Sequence, residues 1–298
     1  MKGPDLAVAR TVLALDIGGT KVAAAHVRGG EVLSSEFLPT PATAGPEAVL
    51  AAAEQAASSV LATTSVQPIT LGVACAGVVQ AGEVHAMSPE LLPGWHGFPL
   101  VAALEERLHL PVVAANDAQA AAYGEWRHGA GQGLQSIVFV TVSTGVGGGL
   151  VLNGRLWRGA TGLAGHVGHM AGREVERLAS GTALARRAAE AGRPGLGARE
   201  VIAAAAGGNG WAAQLVQDAA SALARMFADV KLLVDPELVV MGGSVGLNED
   251  FRGSVAAALA ALPERLHIPV APAGLGAMAG LVGAAALAVE ELGHVPPT

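Results

Sequence analysis

Two glycine-rich turns, one Asn-Asp pair and a short run with two histidines are the places where residue types and spacing suit chemistry. In LALDIGGTK, residues Leu13 to Lys21, an apolar run ends at Asp16, and Gly18 and Gly19 allow the backbone to turn so closely that amide N–H groups face a phosphate. Asp16 offers a hard oxygen to Mg²⁺, directly or through water or phosphate, while Thr20 and Lys21 add a hydroxyl and a positive charge. An ordinary hairpin turn is the other reading of these residues. In VTVSTGVGGGLVLNGRL, residues Val140 to Leu156, a hairpin carries Ser143, Thr144, Gly145 and Gly147 at its tip, which makes a second phosphate cradle or a plain flexible loop. Neither turn is a Walker loop or a dinucleotide fingerprint. In VVMGGSVG, Val239 to Gly246, a strand runs into Gly242 and Gly243, where a flat base can lie against the backbone or the chain can simply turn into a helix.

Asn116 and Asp117 end an apolar strand just before a helix, where an open α/β sheet presents its functional groups. There Asp117 is either a proton acceptor or the helix N-cap. His166, His169 and Glu176 fall in GLAGHVGHMAGREVERLASG. The H-x-x-H spacing invites a metal, but no third ligand stands at a zinc-like spacing, and hydrogen bonding is the simpler role.

These groups need strands that end at them. The pattern predicts strands at Thr11–Leu15, Val22–Val27 and Glu31–Glu36, a helix over Glu47–Thr63, a strand at Ile69–Ala74, a helix at Val101–Leu108 and a strand at Val112–Ala115. It then starts again: a helix at Ala118–Arg127, strands at Ser136–Val142, Gly148–Leu152 and Arg155–Trp157, helices at Gly181–Ala191, Ala198–Ala206 and Trp211–Leu233, a strand at Leu238–Met241 and a helix at Gly280–Leu292. Two strand-rich openings, each with a glycine turn, suggest a duplicated α/β unit. The 298 residues allow two domains, and 51% hydrophobic residues with 14% charged is a globular composition. The ends, Met1–Ala9 and roughly Gly293–Thr298, read as disordered. A net charge of −7 argues against nucleic acid as a partner. The one cysteine, Cys75, excludes an intrachain disulfide and fits a reducing cytoplasm. No uninterrupted apolar run approaches the roughly 20 residues of a membrane span.

Taken in order, LALDIGGTK, NDAQAAA, VFVTVSTGVGGGLV, GLAGHVGH, VERLASG and VVMGGSVG resemble the ROK family (repressors, open reading frames, kinases) over nearly the whole chain. Within it, NDAQAAA, VSTGVGGG, GLAGHVGH and GGSVGL look most similar to the bacterial N-acetylmannosamine kinases, whereas the glucokinases usually carry Glu where His166 stands. The resemblance implies an α/β fold of two actin-like, ribonuclease-H-like domains around a central cleft. The expected division is residues 1–117, with a C-terminal helix of about 284–298 packing back on them, and residues 118–283. ATP, Mg²⁺ and a sugar are the implied ligands, and the implied reaction is phosphorylation of the 6-hydroxyl, with Asp117 taking its proton. Asp16, Gly18, Gly19, Thr20, Lys21, Ser143, Thr144, Gly145 and Gly147 resemble the phosphate motifs, with Gly242 and Gly243 near adenosine. Gly77, Asn116, Asp117, His166, His169 and Glu176 resemble the sugar contacts. A homodimer is expected from the family. The rivals are a glucokinase or other ROK hexokinase and a non-catalytic sugar sensor. Sensors normally begin with a helix-turn-helix, for which a first strand starting near Thr11 is read as leaving no room. Two departures stand out. The family's zinc motif, C-x-C-G-x-x-G-C-x-E, is replaced by MAGREV between His169 and Glu176, so zinc is expected to be absent. In SPELLPGW, Leu91 stands where the family usually has Asn.

Overall fold

The computed structural model describes residues 11–87 and 93–293, and Leu91 and the two ends of the chain fall outside that range. The described chain forms two compact units: one of residues up to His128 with Arg158–Leu163 and the segment from Met278 onward, the other of Gly129–Trp157 and Ala164–Ala277.

The first unit opens with β1 (Thr11–Ile17), β2 (Lys21–Arg28) and β3 (Glu31–Pro39), then α1 (Pro46–Leu61) and β4 (Leu71–Cys75). A small antiparallel sheet of three-residue strands follows, β5 (Val78–Gln80), β6 (Glu83–His85) and β7 (His96–Phe98). The sequence pattern does not announce these strands, because three residues are too few to show an alternation. Then come α2 (Leu100–Leu108), β8 (Val112–Asn116) and α3 (Asp117–His128). The main sheet has the order β3-β2-β1-β4-β8, with β1, β2 and β3 antiparallel and β1, β4 and β8 parallel. The alternation along β1 is two-sided. Leu13, Leu15 and Ile17 pack with Val49, Leu50 and Ala53 of α1, while Val12 and Ala14 face the opposite side.

The second unit repeats this plan. It contains β9 (Ile137–Val142), β10 (Val146–Leu152) and β11 (Arg155–Leu156), then α4 (Met170–Ala179), α5 (Gly181–Glu190), α6 (Ala198–Ala206) and α7 (Gly210–Val234). After them come β12 (Leu238–Gly242), α8 (Gly243–Gly246), α9 (Glu249–Ala260) and β13 (Val270–Pro272). Its sheet order, β11-β10-β9-β12-β13, again joins an antiparallel hairpin to parallel strands. Val138, Val140 and Val142 of β9 enter a core with Leu223 and Phe227 of α7 and Phe251 and Val255 of α9. Two helices differ from the sequence pattern. The segment between His169 and Glu176, for which the pattern predicts no element, lies within α4, where burial of Val175 and Ala179, one turn apart, gives the helix an inward face. The unforeseen α9 starts at an N-cap, Asn248, whose side chain accepts the N–H of Phe251 at 3.0 Å, with Glu249 and Asp250 in the first turn.

The last helix, α10 (Ala279–Gly293), belongs to the first unit and packs on α3, β1, β4 and β8. Gly276–Gly293 is long and apolar enough to cross a membrane by length and composition, with a mean hydropathy of 1.3. Leu281, Ala285 and Ala288 instead close the second face of the sheet against Val12, Ala14 and Ala23. The contacts group α3 with the first unit, whereas the sequence division starts the second domain at Ala118. The cause is close backbone approach: a Cβ on Gly124 would lie 2.7 Å from the carbonyl of Ala279, and one on Gly283 would overlap the carbonyl of Ala120. Gly283→Ala is therefore expected to force α10 off α3 and to cost about 2–3 kcal/mol, since the clash is with backbone that cannot rotate away. Chemical denaturation with an unchanged slope would measure it, and a loss below about 0.5 kcal/mol would show that the two helices separate freely.

Candidate functional site

In the first unit the candidate groups gather at the carboxyl ends of three adjacent parallel strands, the usual ligand-facing edge of an open α/β sheet. Asp16 on β1 stands in register with Ala74, and Cys75 with Asn116. The β1–β2 turn is closed by the N–H of Gly18 donating to the carbonyl of Lys21 at 3.0 Å. Thr40, which the sequence did not single out, straps the same turn: its hydroxyl donates to the Gly18 carbonyl at 2.7 Å and its N–H to the Thr20 carbonyl at 3.1 Å. Among the described residues nothing lies within 4 Å of where a Cβ on Gly19 would stand, which leaves that backbone open to a ligand. Thr20 and Lys21 are exposed, and Lys21 Nζ sits 4.6 Å from the centre of the Phe37 ring.

Asn116, and not Asp117, caps α3: its Oδ1 accepts the N–H groups of Ala118 and Gln119 at 3.0 and 3.2 Å. Its Nδ2 donates to the carbonyl of Gly77 and to Oδ1 of Asp117, each at 2.9 Å. Asp117 Oδ1 also accepts the Ala118 N–H at 2.8 Å. Asp117 keeps part of its surface open, yet burial raises its pKa, against the lowering effect of the bonds from Ala118, Asn116 and its own backbone. Asp16 is raised to about 7, first by burial and then by the charge of Asp117, with Lys21 opposing in part. Burial and the same two carboxyls push the Cys75 thiol well up. Two carboxyls so short of positive charge, offering only hard oxygens, fit Mg²⁺.

In the second unit the β9–β10 hairpin carries Ser143, Thr144, Gly145 and Gly147, with the Ser143 N–H donating to the Gly145 carbonyl at 2.9 Å. The junction of α4 and α5 clamps this tip. The N–H of Gly181 donates to the Ser143 carbonyl at 2.6 Å, and that of Thr182 to the Thr144 carbonyl at 3.4 Å. Ser180 caps α5 by accepting the Ala183 N–H at 3.1 Å. The sequence signal for this clamp was the Ser-Gly step before an Ala-rich helix. Glu176 of α4 lies against the tip as well: a Cβ on Gly145 would stand 2.9 Å from its Oε1. Gly242 ends β12 in register with Thr141, and Gly243 turns the chain at φ +80°.

His166 and His169 bracket a single 3-10 turn, their ring centres 6.4 Å apart. Glycine seats that turn on the hairpin: a Cβ on Gly168 would overlap the carbonyl of Val146, and one on Gly148 would stand 2.7 Å from the carbonyl of Gly165. Among the described residues, neither buried ring nitrogen of His169 has a hydrogen-bond partner. Among the described residues no three His, Cys, Asp or Glu side chains are grouped as metal ligands.

Residues 12–291 match the profile of the ROK family. The chain is 41% identical over 294 residues to the N-acetylmannosamine kinase of Escherichia coli O7:K1 (strain IAI39 / ExPEC), covering 94% of this chain and 99% of that protein. Among solved structures it is similar to a ROK hexokinase from Thermus thermophilus, with 36% identity, a TM-score of 0.84, and 96% and 100% of the two chains covered. A ROK family glucokinase from Streptomyces griseus, solved with glucose and AMPPNP, is similar at 30% identity and a TM-score of 0.79, covering 94% and 99% of the two chains.

The Asp16 carboxyl makes stability depend on pH. Its folded pKa is raised above the ordinary value of 3.8 to about 7, so its contribution is full below about pH 4 and lost as pH rises through 7. In protein free of metal and nucleotide, Asp16→Asn is expected to raise the melting temperature at pH 8 by about 2 °C or more, for a gain of at least about 1 kcal/mol. The gap should close towards pH 4. A gap independent of pH, or a variant less stable at pH 8, would contradict the assignment.

Proposed function

The chain belongs to the ROK family, and from that premise we propose that it transfers the γ-phosphoryl group of ATP to the 6-hydroxyl of a sugar, with N-acetylmannosamine as the preferred acceptor. One observation carries the reading: a half-buried carboxyl at the start of α3, Asp117, its Oδ1 held by Asn116 and Ala118, in a chain 41% identical to an N-acetylmannosamine kinase along 94% of its length.

Asp117 accepts the proton of the 6-hydroxyl as the sugar oxygen bonds to the γ-phosphorus and the bond to the bridging oxygen of ADP breaks. A carboxylate whose proton affinity is raised by burial is the stronger base. Phosphoryl transfer otherwise asks for placement and charge neutralisation. The backbones of Gly18, Gly19, Gly145 and Gly147 and the side chains of Thr20, Lys21, Ser143 and Thr144 receive the phosphates, and Gly242 and Gly243 lie by the adenosine. Asp16 would hold Mg²⁺, directly or through water or phosphate, and with the ion bound the phosphate charge would be neutralised. Gly77 borders the sugar, Asn116 stands beside the base, and His166, His169 and Glu176 hydrogen-bond the ring, which gives the buried nitrogens of His169 partners. An imidazole N–H donates to an acyl oxygen, which a carboxylate cannot, so His166 favours an N-acetylated sugar.

A panel of N-acetylmannosamine, N-acetylglucosamine, glucose, mannose and fructose, assayed by ADP release, tests the reading. The expected result is a higher kcat/KM for N-acetylmannosamine than for glucose. A higher value for glucose transfers the reading to a glucokinase, and sugar binding without ADP release transfers it to a sensor.

Asp117→Asn is expected to lower kcat by 10²–10⁴-fold, the usual effect of removing a general base, with the fold intact. More than about a tenth of wild-type kcat would remove Asp117 from that role. The protein is also expected to work without zinc. Elemental analysis of material purified without a metal-affinity tag should find none in stoichiometric amount, and chelated protein should regain activity with Mg²⁺ alone; recovery only with Zn²⁺ would reverse this.

A further inference from the structure

The turn between β1 and β2 consists of Gly18, Gly19 and Thr20, and a residue outside it holds two of its carbonyls. That residue is Thr40, which directly follows β3. Its hydroxyl donates to the Gly18 carbonyl at 2.7 Å, the preferred length of an O–H···O bond, and its N–H donates to the Thr20 carbonyl at 3.1 Å. Thr40 stands between two prolines, Pro39 and Pro41. The ring of Pro39 fixes its own φ, and Pro41 confines the residue before it to an extended backbone, so Thr40 is stiff before it bonds to anything.

We propose that Thr40 is a positioning residue for the nucleotide: by fixing the Gly18 carbonyl, it aims the Gly19 N–H at the phosphates. This deepens the kinase reading above and rests on it. A trans peptide is a rigid plane in which the carbonyl of one residue and the N–H of the next point in opposite directions. The described chain has no cis peptide bond, so the Gly18 carbonyl and the Gly19 N–H move as one unit. With the Thr40 hydroxyl on the carbonyl, the N–H faces away from Thr40. Among the described residues that N–H has no acceptor, and nothing lies within 4 Å of where a Cβ on Gly19 would stand. Gly18 is held at its other end too, where its N–H donates to the Lys21 carbonyl at 3.0 Å. Such holding matters because two successive glycines are the most freely rotating pair a turn can have. A backbone donor serves a phosphate best when it is aimed before the phosphate arrives, and misplacement by about 1 Å costs about 10²-fold in rate.

The test compares the full chain as wild type, Thr40→Val and Thr40→Ser. It measures kcat, KM for ATP and, by calorimetry, Kd for AMPPNP with Mg²⁺ and Kd for the sugar alone. Val has nearly the shape of Thr and keeps the backbone N–H but has no hydroxyl, whereas Ser keeps the donor. Thr40→Val is expected to lower kcat/KM for ATP by about 10–100-fold and to weaken AMPPNP, with sugar Kd within about twofold of wild type. Thr40→Ser should keep at least about a third of the wild-type kcat/KM, since the hydroxyl is retained. Should Thr40→Val fail to fold, Thr40→Ala removes the same hydroxyl and carries the test. Wild-type kcat/KM for ATP in the variant without the hydroxyl would overturn the inference. So would an equal loss in Thr40→Ser, or a parallel loss of sugar affinity, either of which marks a general structural role. If the wild-type protein binds AMPPNP but turns over no sugar, the kinase reading fails and the AMPPNP arm still decides the role of Thr40. Wild-type protein that binds no AMPPNP overturns both.

Discussion

The crossing of α10 over α3 is the constraint on which the first unit depends. Glycine at Gly124 and Gly283 brings two helix backbones into direct contact, where any side chain would hold them apart. Asp117 begins one of these helices. Gly280, in the first turn of the other, lies against Asp16: a Cβ there would stand 3.0 Å from Asp16 Oδ2. One helix crossing therefore sets the surroundings of both carboxyls. It also explains why a segment remote in sequence, from Met278 onward, is grouped with the first strands.

The same region carries an electrostatic cost that the fold does not remove. Asp16 and Asp117 are both crowded by protein, Asp16 also feels the charge of Asp117 with Lys21 opposing, and the pKa of each is raised. A purely structural acid in this position would be stabilised by an Arg or Lys partner, as Asp218 is by Arg187, which with Gln214 holds that carboxyl below its ordinary pKa despite desolvation. Leaving a carboxyl pair without such a partner is reasonable where a dication and the proton of a substrate complete the charge balance.

In the second unit the corresponding rigidity comes from backbone bonds. The hairpin tip is held by Gly181 and Thr182, and the turn with His166 and His169 is seated through Gly168 and Gly148. α4 runs from that turn to the Ser180–Gly181 clamp, with Val175 and Ala179 anchoring it in the core. Glu176 and His169 are thus held by the same element, and a ligand reaching them meets groups whose ordering was completed on folding.

The amino-acid sequence by itself determined the main strands, most of the long helices, the repeated hairpin-then-parallel plan and the two glycine turns. Apolar periodicity and glycine placement are local properties, readable over a few residues. It also determined which motifs resemble the ROK family, because their residues stand in order along the chain. Tertiary structure alone decided the rest. Three-residue strands such as Val78–Gln80 have no period to read. The helix at Met170–Ala179 takes its inward face from a core that its own segment does not reveal. The grouping of α3 with α10 depends on which glycine meets which carbonyl across about 160 residues of chain, and sequence spacing carries no record of such contacts. The partners of the Asn116 amide were hidden for the same reason: one of them, the Gly77 carbonyl, is brought alongside only by the pairing of β4 with β8.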